Sequence, residues 1–299
     1  MVKPNNDNVR ITMAGNALTY IDYLDRLRLL SSSIFSWKNL DKVAGFGAER
    51  FLEQSLYEFG KACFLKDDEL GFMVAHVNPS DKLNIYKLPV RVQAWSIGYK
   101  KQLPFDDVVY IMNNVLQKPT LETINLIAYR LYETERTIDI NLNAQKTPVL
   151  IEGNTKTILT LKQVYEQYSG NTPFIFGDKQ FDVSNKLSVL KTDAPYIIDK
   201  LTQHKKDLFT EALNFLGIDN FFSDKKERLI TAEAEGTEAL TNFYLNCFYK
   251  TRQEACDMIN EKFLADSDIK IELSVNRKEI AKLKDEINVM MEERQVVNE

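Results

Sequence analysis

Four lysines make one stretch the most basic in the middle of the chain: Lys191, Lys200, Lys205 and Lys206. Ammonium groups bind phosphate oxygens as point charges, so lysines in series are the residue type that a phosphate backbone attracts. The pattern is also typical of an ordinary solvated helix face, which composition alone favours. The formal net charge of −5 argues against tight, counterion-releasing binding to nucleic acid. We therefore expect any nucleic-acid contact to be local or loose.

Residues that would mark an enzyme are scarce. The sequence has two histidines, His76 and His204, and we expect His76 to be buried and hydrogen-bonded because it stands in an apolar run. The Gly-Phe-Gly at 45–47 lacks the third glycine and the preceding strand of a dinucleotide-binding loop. No phosphate-binding loop, zinc-spaced Cys/His cluster or nucleophile elbow is present. The sequence therefore predicts a protein that is not an enzyme and uses no metal or cofactor.

Length and composition indicate a protein with a sizeable core. The chain has 299 residues, 44% hydrophobic and 11% aromatic, which suits about two structural regions. Cys63, Cys247 and Cys256 are few and scattered, so we expect buried thiols in a reducing cytoplasm and no disulfide framework. No run of eighteen apolar residues exists, and no apolar segment follows the polar N-terminus. These features predict a soluble protein with no membrane span and no secretory signal.

Two long helices with a small insert between them dominate the pattern. Residues 119–146 contain apolar residues three and four positions apart, and this spacing places the apolar side chains on one stripe of a helix. Pro148 ends this helix, because the residue before a proline is pushed out of the α region. A second helix is predicted to begin at Asp193, a good N-cap, with Pro195 in its first turn and Gly217 as its stop. Two stiff helices joined as a hairpin need neighbours to bury their sides.

The insert between these helices, residues 148–192, has an α/β pattern. We expect strands at 148–152, 173–176 and 186–190 and a short helix at 160–168. About forty residues cannot bury a strong core of their own. The insert should therefore depend on neighbouring copies or on partners.

The N-terminal part is predicted to combine helices with a small β domain. Apolar residues at helical spacing indicate amphipathic helices at 17–37 and 48–59. Short apolar runs between turn residues indicate strands separated by loops. The predicted strands are 71–77, 88–95 and 108–112, and the predicted loops are 78–81 and 101–106.

The C-terminal part begins with residues 218–236, which have no sustained period and are predicted to form a functional loop. A helix follows at 240–249, and the Thr-x-x-Glu capping box at 251–254 predicts that a new helix starts there and runs to residue 263. Alternation at 268–275 predicts a strand with one buried face. Four apolar residues then recur at heptad-like spacing: Ile280, Leu283, Ile287 and Met290. This stripe, in a charged C-terminal helix, needs a surface to pack on.

Several strings of residues carry a family resemblance and keep their order and approximate spacing over the C-terminal half. They are Asn-Ala-Gln-Lys-Thr-Pro-Val-Leu-Ile at 143–151, Leu-Lys-Gln-Val-Tyr at 161–165 with Gln-Tyr at 167–168, Lys-Thr-Asp-Ala-Pro-Tyr at 191–196 with Asp-Lys-Leu at 199–201, Lys-Lys-Glu-Arg at 225–228, and 252–260 with its Glu-Ala-Cys core. The strings resemble the upper collar protein, also called the connector or portal, of small short-tailed bacteriophages with protein-primed genomes. The first 110 residues resemble it mainly in pattern, with Phe35, Trp37 and Asn39-Leu40 as anchors.

This resemblance implies a ring of twelve subunits at one capsid vertex of a virion that is made in the host cytoplasm. Double-stranded DNA would be packaged through the central channel by a separate ATPase and later ejected. The implied fold class is α+β, mainly α, with long stem helices, a small β-rich wing domain and a small α/β clip. The corresponding segments are 1–117 (N-terminal helices and wing), 118–147 (stem helix), 148–192 (clip), 193–217 (stem helix), 218–236 (channel loop) and 237–299 (C-terminal wing and crown helices and strand).

The resemblance also implies which residues face the DNA. In that family two lysines of the Lys-Thr-Asp-Ala-Pro-Tyr region project into the channel, which implies this role for Lys191 and Lys200. The loop after the second stem helix also faces the lumen, which implies it for Lys225, Lys226 and Arg228. Twelve copies at −5 each carry −60, so the ring as a whole would repel DNA. Isolated lysine rings would offset that repulsion locally without gripping the duplex.

The implied partners are other copies of the chain, the major capsid and scaffolding proteins, the packaging ATPase, a lower collar or tail protein, and loosely held double-stranded DNA, with no membrane and no cofactor. Another structural collar or tail adaptor ring, such as a lower collar, is the alternative to a connector. A twelve-fold ring with a lumen of roughly duplex width or more distinguishes a connector from a monomeric enzyme.

Overall fold

A computed structural model describes residues 6–80, 82–145, 149–151, 187–189, 195–218 and 231–276. The chain divides into two compact units, one of Met1–Tyr132 with Lys205–Glu299 and the other of Glu133–His204. The helices are α1 (Asn6–Ser32), α2 (Leu40–Ala44), α3 (Ala48–Phe59), α4 (Leu121–Gln145), α5 (Ile198–Phe215) and α6 (Thr231–Lys262). The strands are β1 (Phe35–Lys38), β2 (Lys61–Asp67), β3 (Gly71–Pro79), β4 (Arg91–Ser96), β5 (Tyr99–Pro104), β6 (Val109–Met112), β7 (Val149–Ile151), β8 (Leu187–Val189) and β9 (Glu272–Val275). This mixture of helix and sheet confirms the predicted α+β class.

Five strands form an antiparallel sheet in the order β5-β4-β3-β2-β6. Strand β2, which lies between β3 and β6, contributes to two apolar clusters, because successive side chains of a strand point to opposite faces. Cys63 and Leu65 pack with residues of β3 and β4, whereas Ala62 and Phe64 pack with residues of α3 and α6. Apolar side chains of β2 are therefore buried on both faces of the sheet, and α3 and α6 cover one of these faces.

The predicted β domain is confirmed in part. The strands predicted at 71–77, 88–95 and 108–112 appear as β3, β4 and β6, with shifted ends. The loops predicted at 78–81 and 101–106 are wrong over much of their length, because β3 continues to Pro79 and β5 occupies Tyr99–Pro104. β2 and β5 were not predicted. β5 is half-buried on one face and exposed on the other, and its three central residues are polar, so it lacks the apolar run that marks a strand.

A second sheet pairs β1 with β9 antiparallel and places Trp37 opposite Leu273. β9 confirms the second half of the strand predicted at 268–275. The helix predicted at 17–37 is wrong at its end, because α1 stops at Ser32 and the chain enters β1. The extended backbone of β1 is stabilised by pairing with β9, more than 230 residues away. The helical spacing of the residues before β1 could not indicate this pairing.

A third cluster joins the buried faces of α1, α4, α5 and α6, all within the unit of Met1–Tyr132 and Lys205–Glu299. The contribution of α4 is Ile124, Ile127, Ala128 and Leu131, each at most 2% exposed. This confirms the predicted apolar stripe over the first half of that helix. Burial of each such aliphatic side chain is worth about 1.5–3 kcal/mol, so the cluster is a main source of stability.

Gly217 ends the turn that follows α5, as predicted. Its φ of +75° is in the left-handed region. A Cβ at Gly217 would also lie 2.6 Å from the Cβ of Leu245 in α6, closer than real side chains approach. The position therefore requires glycine for both its conformation and its packing. The start of this helix differs from the prediction: α5 begins at Ile198, after Pro195, and Asp193 lies outside the described residues.

One continuous helix, α6, replaces two predicted features. It begins at Thr231, so the loop predicted at 218–236 is wrong over its last six residues, and residues 219–230 lie outside the described part. The predicted helix break at Thr251 is also wrong. The Thr251 hydroxyl donates to the Phe248 and Asn113 carbonyl oxygens, at 3.2 and 3.3 Å, and does not cap a new helix.

The unit Glu133–His204 includes the second half of α4, the β7–β8 pair and the first turns of α5. The antiparallel pairing of β7 with β8 confirms the strands predicted at 148–152 and 186–190. The helix predicted at 160–168, the strand predicted at 173–176 and the C-terminal helix lie outside the described residues.

Candidate nucleic-acid interface

Lys200 is exposed in the first turn of α5. The chain before that turn is fixed by Asn141 of α4, which is only 8% exposed. The Asn141 side-chain amide donates to the Pro195 carbonyl oxygen at 2.9 Å, and its oxygen accepts from the Ile197 N–H at 3.3 Å. Buried backbone groups need such partners, so one side chain of α4 determines where α5 starts. Asn141 therefore helps to position the first turn of α5, which carries Lys200.

The next lysines in the helix differ from Lys200. Lys205 and Lys206 are half-buried and interact with other groups of the chain. For Lys200 no carboxylate of the described residues forms an ion pair within 4.0 Å. Its ammonium group is thus the one in this helix that is both exposed and without an acidic partner among those residues, which suits contact with a phosphate.

The polar stripe of α5 is only partly a solvent face. Asp199 and Gln203, near Lys200, are exposed. Asn214, near the other end, is half-buried, and its Oδ1 accepts a hydrogen bond of 3.2 Å from the Thr241 hydroxyl of α6. The stripe therefore has a structural part at its C-terminal end, and a DNA contact would be confined to the residues around Lys200.

The other four residues predicted to face DNA lie outside the described part of the chain: Lys191, Lys225, Lys226 and Arg228. The structure thus describes one of the five predicted residues, Lys200.

A buried ion pair is the most completely bonded polar group in the described structure. Arg252 of α6 and Glu53 of α3 are each 4% exposed at the side chain. Their contact is bidentate: Nε donates to Oε1 and Nη2 to Oε2, both at 2.9 Å. The geometry is the planar fork-to-carboxylate match that only arginine provides. It connects the two helices that cover one face of the five-stranded sheet.

Further partners complete this buried network. The Trp37 indole N–H donates to Glu53 Oε1 at 2.8 Å. Arg252 also donates to the Asn113 carbonyl and side-chain oxygens, at 3.1 and 3.0 Å, and its guanidinium lies 4.5 Å from the centre of the Phe35 ring. Full hydrogen bonding is what makes a buried charge pair tolerable. The network therefore connects β1, α3, the segment after β6 and α6.

Asn260, one helical turn beyond Cys256 in α6, positions the strand β9. Its side-chain amide donates to the Ile271 carbonyl oxygen at 2.7 Å, and its oxygen accepts from the Ile271 N–H at 2.9 Å. The Cys256 thiol donates to the same carbonyl oxygen at 3.2 Å. The residues just before β9 are therefore bonded to α6 by side chains, and β1 pairs with β9 in turn.

Sequence reasoning did not assign this network. Glu53 was hidden because it stands among the apolar residues of α3, and its partner is 199 positions away. A signal existed nonetheless, since the string at 252–260 and the anchors Phe35 and Trp37 all belong to the family resemblance. Their contacts show that these residues maintain the fold.

The prediction that His76 is buried and hydrogen-bonded is confirmed in part. It is half-buried, and its Nδ1 lies 3.0 Å from the Ser55 hydroxyl. The rings of Phe51, Phe59 and Trp95 surround it, with centroids 4.4–4.9 Å from its own. Burial lowers the pKa of His76 below its ordinary 6.5. The neutral, hydrogen-bonded imidazole is therefore the form that the fold favours.

Other candidate sites are limited in the part of the chain that the structure describes. There, no group of three or more His, Cys, Asp or Glu side chains is arranged to hold a metal ion. None of the helices searched there is both long and apolar enough to cross a membrane. Cys63 and Cys256 are buried free thiols, as predicted, whereas Cys247 is partly exposed.

Comparison with protein families gives one match, over residues 7–276. The matching family is described as Phage Connector (GP10). The chain belongs to this family. It is a phage portal, or connector, protein and a component of the virion. The match includes β9 and the whole Arg252 network and confirms the connector resemblance of the sequence strings.

The connector is also similar to solved structures. They include "Portal and tail of native bacteriophage P68" (15% identity, TM-score 0.48, covering 97% of this chain and 98% of that chain), an HK97-family phage portal protein from Corynebacterium diphtheriae (13%, 0.45, 87% and 93%) and the virion of a native gene transfer agent particle (12%, 0.45, 99% and 91%). At these identities the family assignment depends on the sequence match.

Proposed function

We propose that this connector forms a closed ring of twelve copies at one capsid vertex and conducts double-stranded DNA through its channel. In this proposal α4 and α5 are the stem, the five-stranded sheet belongs to the wing, and residues 148–192 are the clip. The clip would dock the packaging ATPase and later a lower collar or tail protein. The family match carries the proposal. The strings at 143–151 and 191–196 support a small short-tailed phage with a protein-primed genome.

Exposed apolar side chains on long helices support a ring. In the unit of Met1–Tyr132 and Lys205–Glu299, Leu126 of α4 is 52% exposed and Phe243 of α6 is 62% exposed. A ring buries such groups against neighbouring copies. In such a ring each copy contacts the next head to tail. The assembly closes only if the rotation between adjacent copies divides evenly into a full turn; otherwise the copies form open fibres.

The unit of Glu133–His204 also exposes apolar side chains. Ile140 is 61% exposed, Leu142 49% and Tyr196 60%, close to the Asn141 contact with Pro195. These side chains would meet adjacent copies, whereas Lys200 would face the lumen.

Charge supports a conduit that does not grip its cargo. At −5 per chain, a ring of twelve would carry −60, which repels a polyanion. Each strong phosphate contact would release counterions on binding and so add a barrier to translation. Rings of Lys191 and Lys200, with Lys225, Lys226 and Arg228 in the channel loop, would offset the repulsion locally.

Light scattering after size-exclusion chromatography tests the assembly. Twelve chains of 34.6 kDa give about 415 kDa, and electron microscopy should show twelve-fold rings with an open lumen. A monomer, or an assembly without a lumen, would contradict the proposal. A ring that binds tail protein but never the packaging ATPase would indicate a lower collar.

A further inference from the structure

α1 has a second apolar face that the described residues leave uncovered. Its inner face, which includes Leu27 and Leu30, is buried in the helical cluster. On the outer face Leu18 is 65% exposed, Ile21 47% and Leu29 58%. Their spacing of three and eight places them within one stripe along the helix. A stripe of this kind normally packs against another helix.

An open groove of about 540 Å³ lies at the C-terminal end of this stripe. Leu29, Ser32 and Asn276 all line it. Asn276 is held there by its N–H, which donates to the Ile34 carbonyl oxygen at 2.9 Å, and by its side-chain amide, which donates to the Ser33 carbonyl oxygen at 3.1 Å. The chain that follows Asn276 therefore leaves from the end of α1, next to Leu29.

That following chain has a matching pattern. Ile280, Leu283, Ile287 and Met290 repeat at heptad-like spacing. Ile280 to Met290 spans about 15 Å as a helix, and Leu18 to Leu29 spans about 17 Å. The two stripes therefore have nearly the same length, and the second begins where the first ends.

We propose that residues 277–292 form a helix that packs antiparallel on the Leu18–Ile21–Leu29 stripe of the same chain. In this register Ile280 meets Leu29, Ile287 meets Ile21 and Met290 meets Leu18. The contact has the geometry of two neighbouring helices in a bundle, with a short connection at Asn276. It is independent of the proposed ring.

Charge favours this occupant. The groove is lined by Asp25, Asp41 and Glu49 together with Glu53, which Arg252 neutralises. Its arginines are Arg28, which pairs with Glu58, and Arg50. The groove thus has an acidic excess, and the segment enters it with Arg277, Lys278 and Glu279, which together carry a net charge of +1.

The same register places Lys284 opposite Asp25, which lies between Ile21 and Leu29 on α1. An ion pair there adds little energy at the surface but disfavours a shift of register.

Paired cysteines test the contact in the full chain with Cys247→Ser. Leu29→Cys with Ile280→Cys should form an intrachain disulfide under mild oxidation, because the proposed register brings the two Cα atoms within bonding range of about 4.4–6.8 Å. Ile21→Cys with Ile287→Cys should do the same. Leu29→Cys with Lys282→Cys is the matched control, since Lys282 would lie on the far side of the segment. The two test pairs should oxidise at least tenfold faster than the control.

Each other outcome overturns the proposal. Disulfides between chains would show that the segment packs on a neighbouring copy. Equal oxidation of test and control pairs, or none in either, would show that α1 is not its partner. The substituted residues of α1 are exposed, so the folded core tolerates them.

Discussion

Arg252 and Glu53 form a bidentate ion pair between α6 and α3, with both N···O distances at 2.9 Å and each side chain 4% exposed. Five hydrogen bonds use the guanidinium donors, three of them to backbone or side-chain oxygens of Phe248 and Asn113. Such a pair is tolerable in the core only while both members are present, which gives it a distinctive mutational signature.

Replacement of Arg252 by methionine should lower the free energy of unfolding by about 3–5 kcal/mol, because it leaves the Glu53 carboxylate buried without its counter-charge. The double variant Arg252→Met with Glu53→Leu should lose less than the single variant, since no isolated charge then remains. Urea denaturation of the purified protein measures both.

The matched control for this experiment is Asp22→Ala, which breaks an exposed ion pair of 2.6 Å with Arg26. Exposed pairs of this kind are worth at most about 1 kcal/mol. If Arg252→Met costs no more than Asp22→Ala, the buried pair does not stabilise the fold.

Asn260 offers a more local test. Asn260→Leu removes both hydrogen bonds to Ile271, so the Ile271 N–H loses its partner and the carbonyl oxygen keeps only the Cys256 thiol. Loss of a buried partner costs about 1–3 kcal/mol. We expect amide exchange to accelerate in β9 and in β1, which pairs with it, while α3 is unchanged. Uniform acceleration across the chain would instead indicate that Asn260 supports the whole core.

Sequence pattern was sufficient where neighbouring residues decide the structure. α3 occupies the predicted 48–59 because its amphipathic run stands between Gly47 and Gly60, both in the left-handed region. The stop at Gly217 and the pair β7–β8 follow from equally local signals. β2 was missed because its residues are buried on both faces of the sheet, which removes the alternation that marks a strand.

Distant partners explain the remaining differences. β1 was assigned to a helix because its pairing with β9 is invisible in local spacing. Thr251 was predicted to cap a helix because it begins a Thr-x-x-Glu capping-box pattern. Its hydroxyl instead donates to the carbonyl oxygen of Asn113, 138 residues away. Of the candidate site, sequence resemblance indicated Lys200, whereas its positioning by Asn141 became evident only from the structure.

Asp67 should make stability depend on pH. Its carboxylate accepts from the Glu69 N–H and from the Lys101 ammonium group, both at 3.0 Å, which lowers its pKa from 3.8 to about 2. A lowered pKa stabilises the fold fully above the unfolded value, and this contribution is lost as the pH falls from about 4 to 2. Asp67→Asn should therefore lower the Tm at pH 7 and lower it less at pH 3.

The control for this pH dependence is Asp68→Asn. Asp68 is 98% exposed at the side chain and lies 3.7 Å from the same Lys101. The Tm of the Asp68→Asn variant should differ little from that of the unaltered protein at pH 7 and at pH 3. An equal effect of the two variants would assign the stabilisation to surface charge in general.

The three thiols should differ in reactivity. Burial raises the pKa of Cys63 to about 12 and that of Cys256 to about 11, so neither forms the reactive thiolate at pH 8. Cys247 is partly exposed. Iodoacetamide followed by mass spectrometry should modify Cys247 alone in the native protein and all three after denaturation. Native modification of Cys63 would show that the five-stranded sheet opens readily.

The lysines proposed to face DNA are tested by neutralising them in the assembled connector. Lys191→Gln with Lys200→Gln should leave ring formation intact, because Lys200 is exposed and has no ion pair with the described residues. The binding of duplex DNA to purified rings should then depend less on salt. The slope of log K for DNA binding against log salt concentration should fall by about 1 for each phosphate contact removed. Lys38→Gln removes the same charge where Glu272 already neutralises it, at 2.7 Å, and should not change the slope. In phage, the double variant should retain packaged DNA less well than the control. If rings fail to form, the two lysines are structural and the channel is lined by other residues.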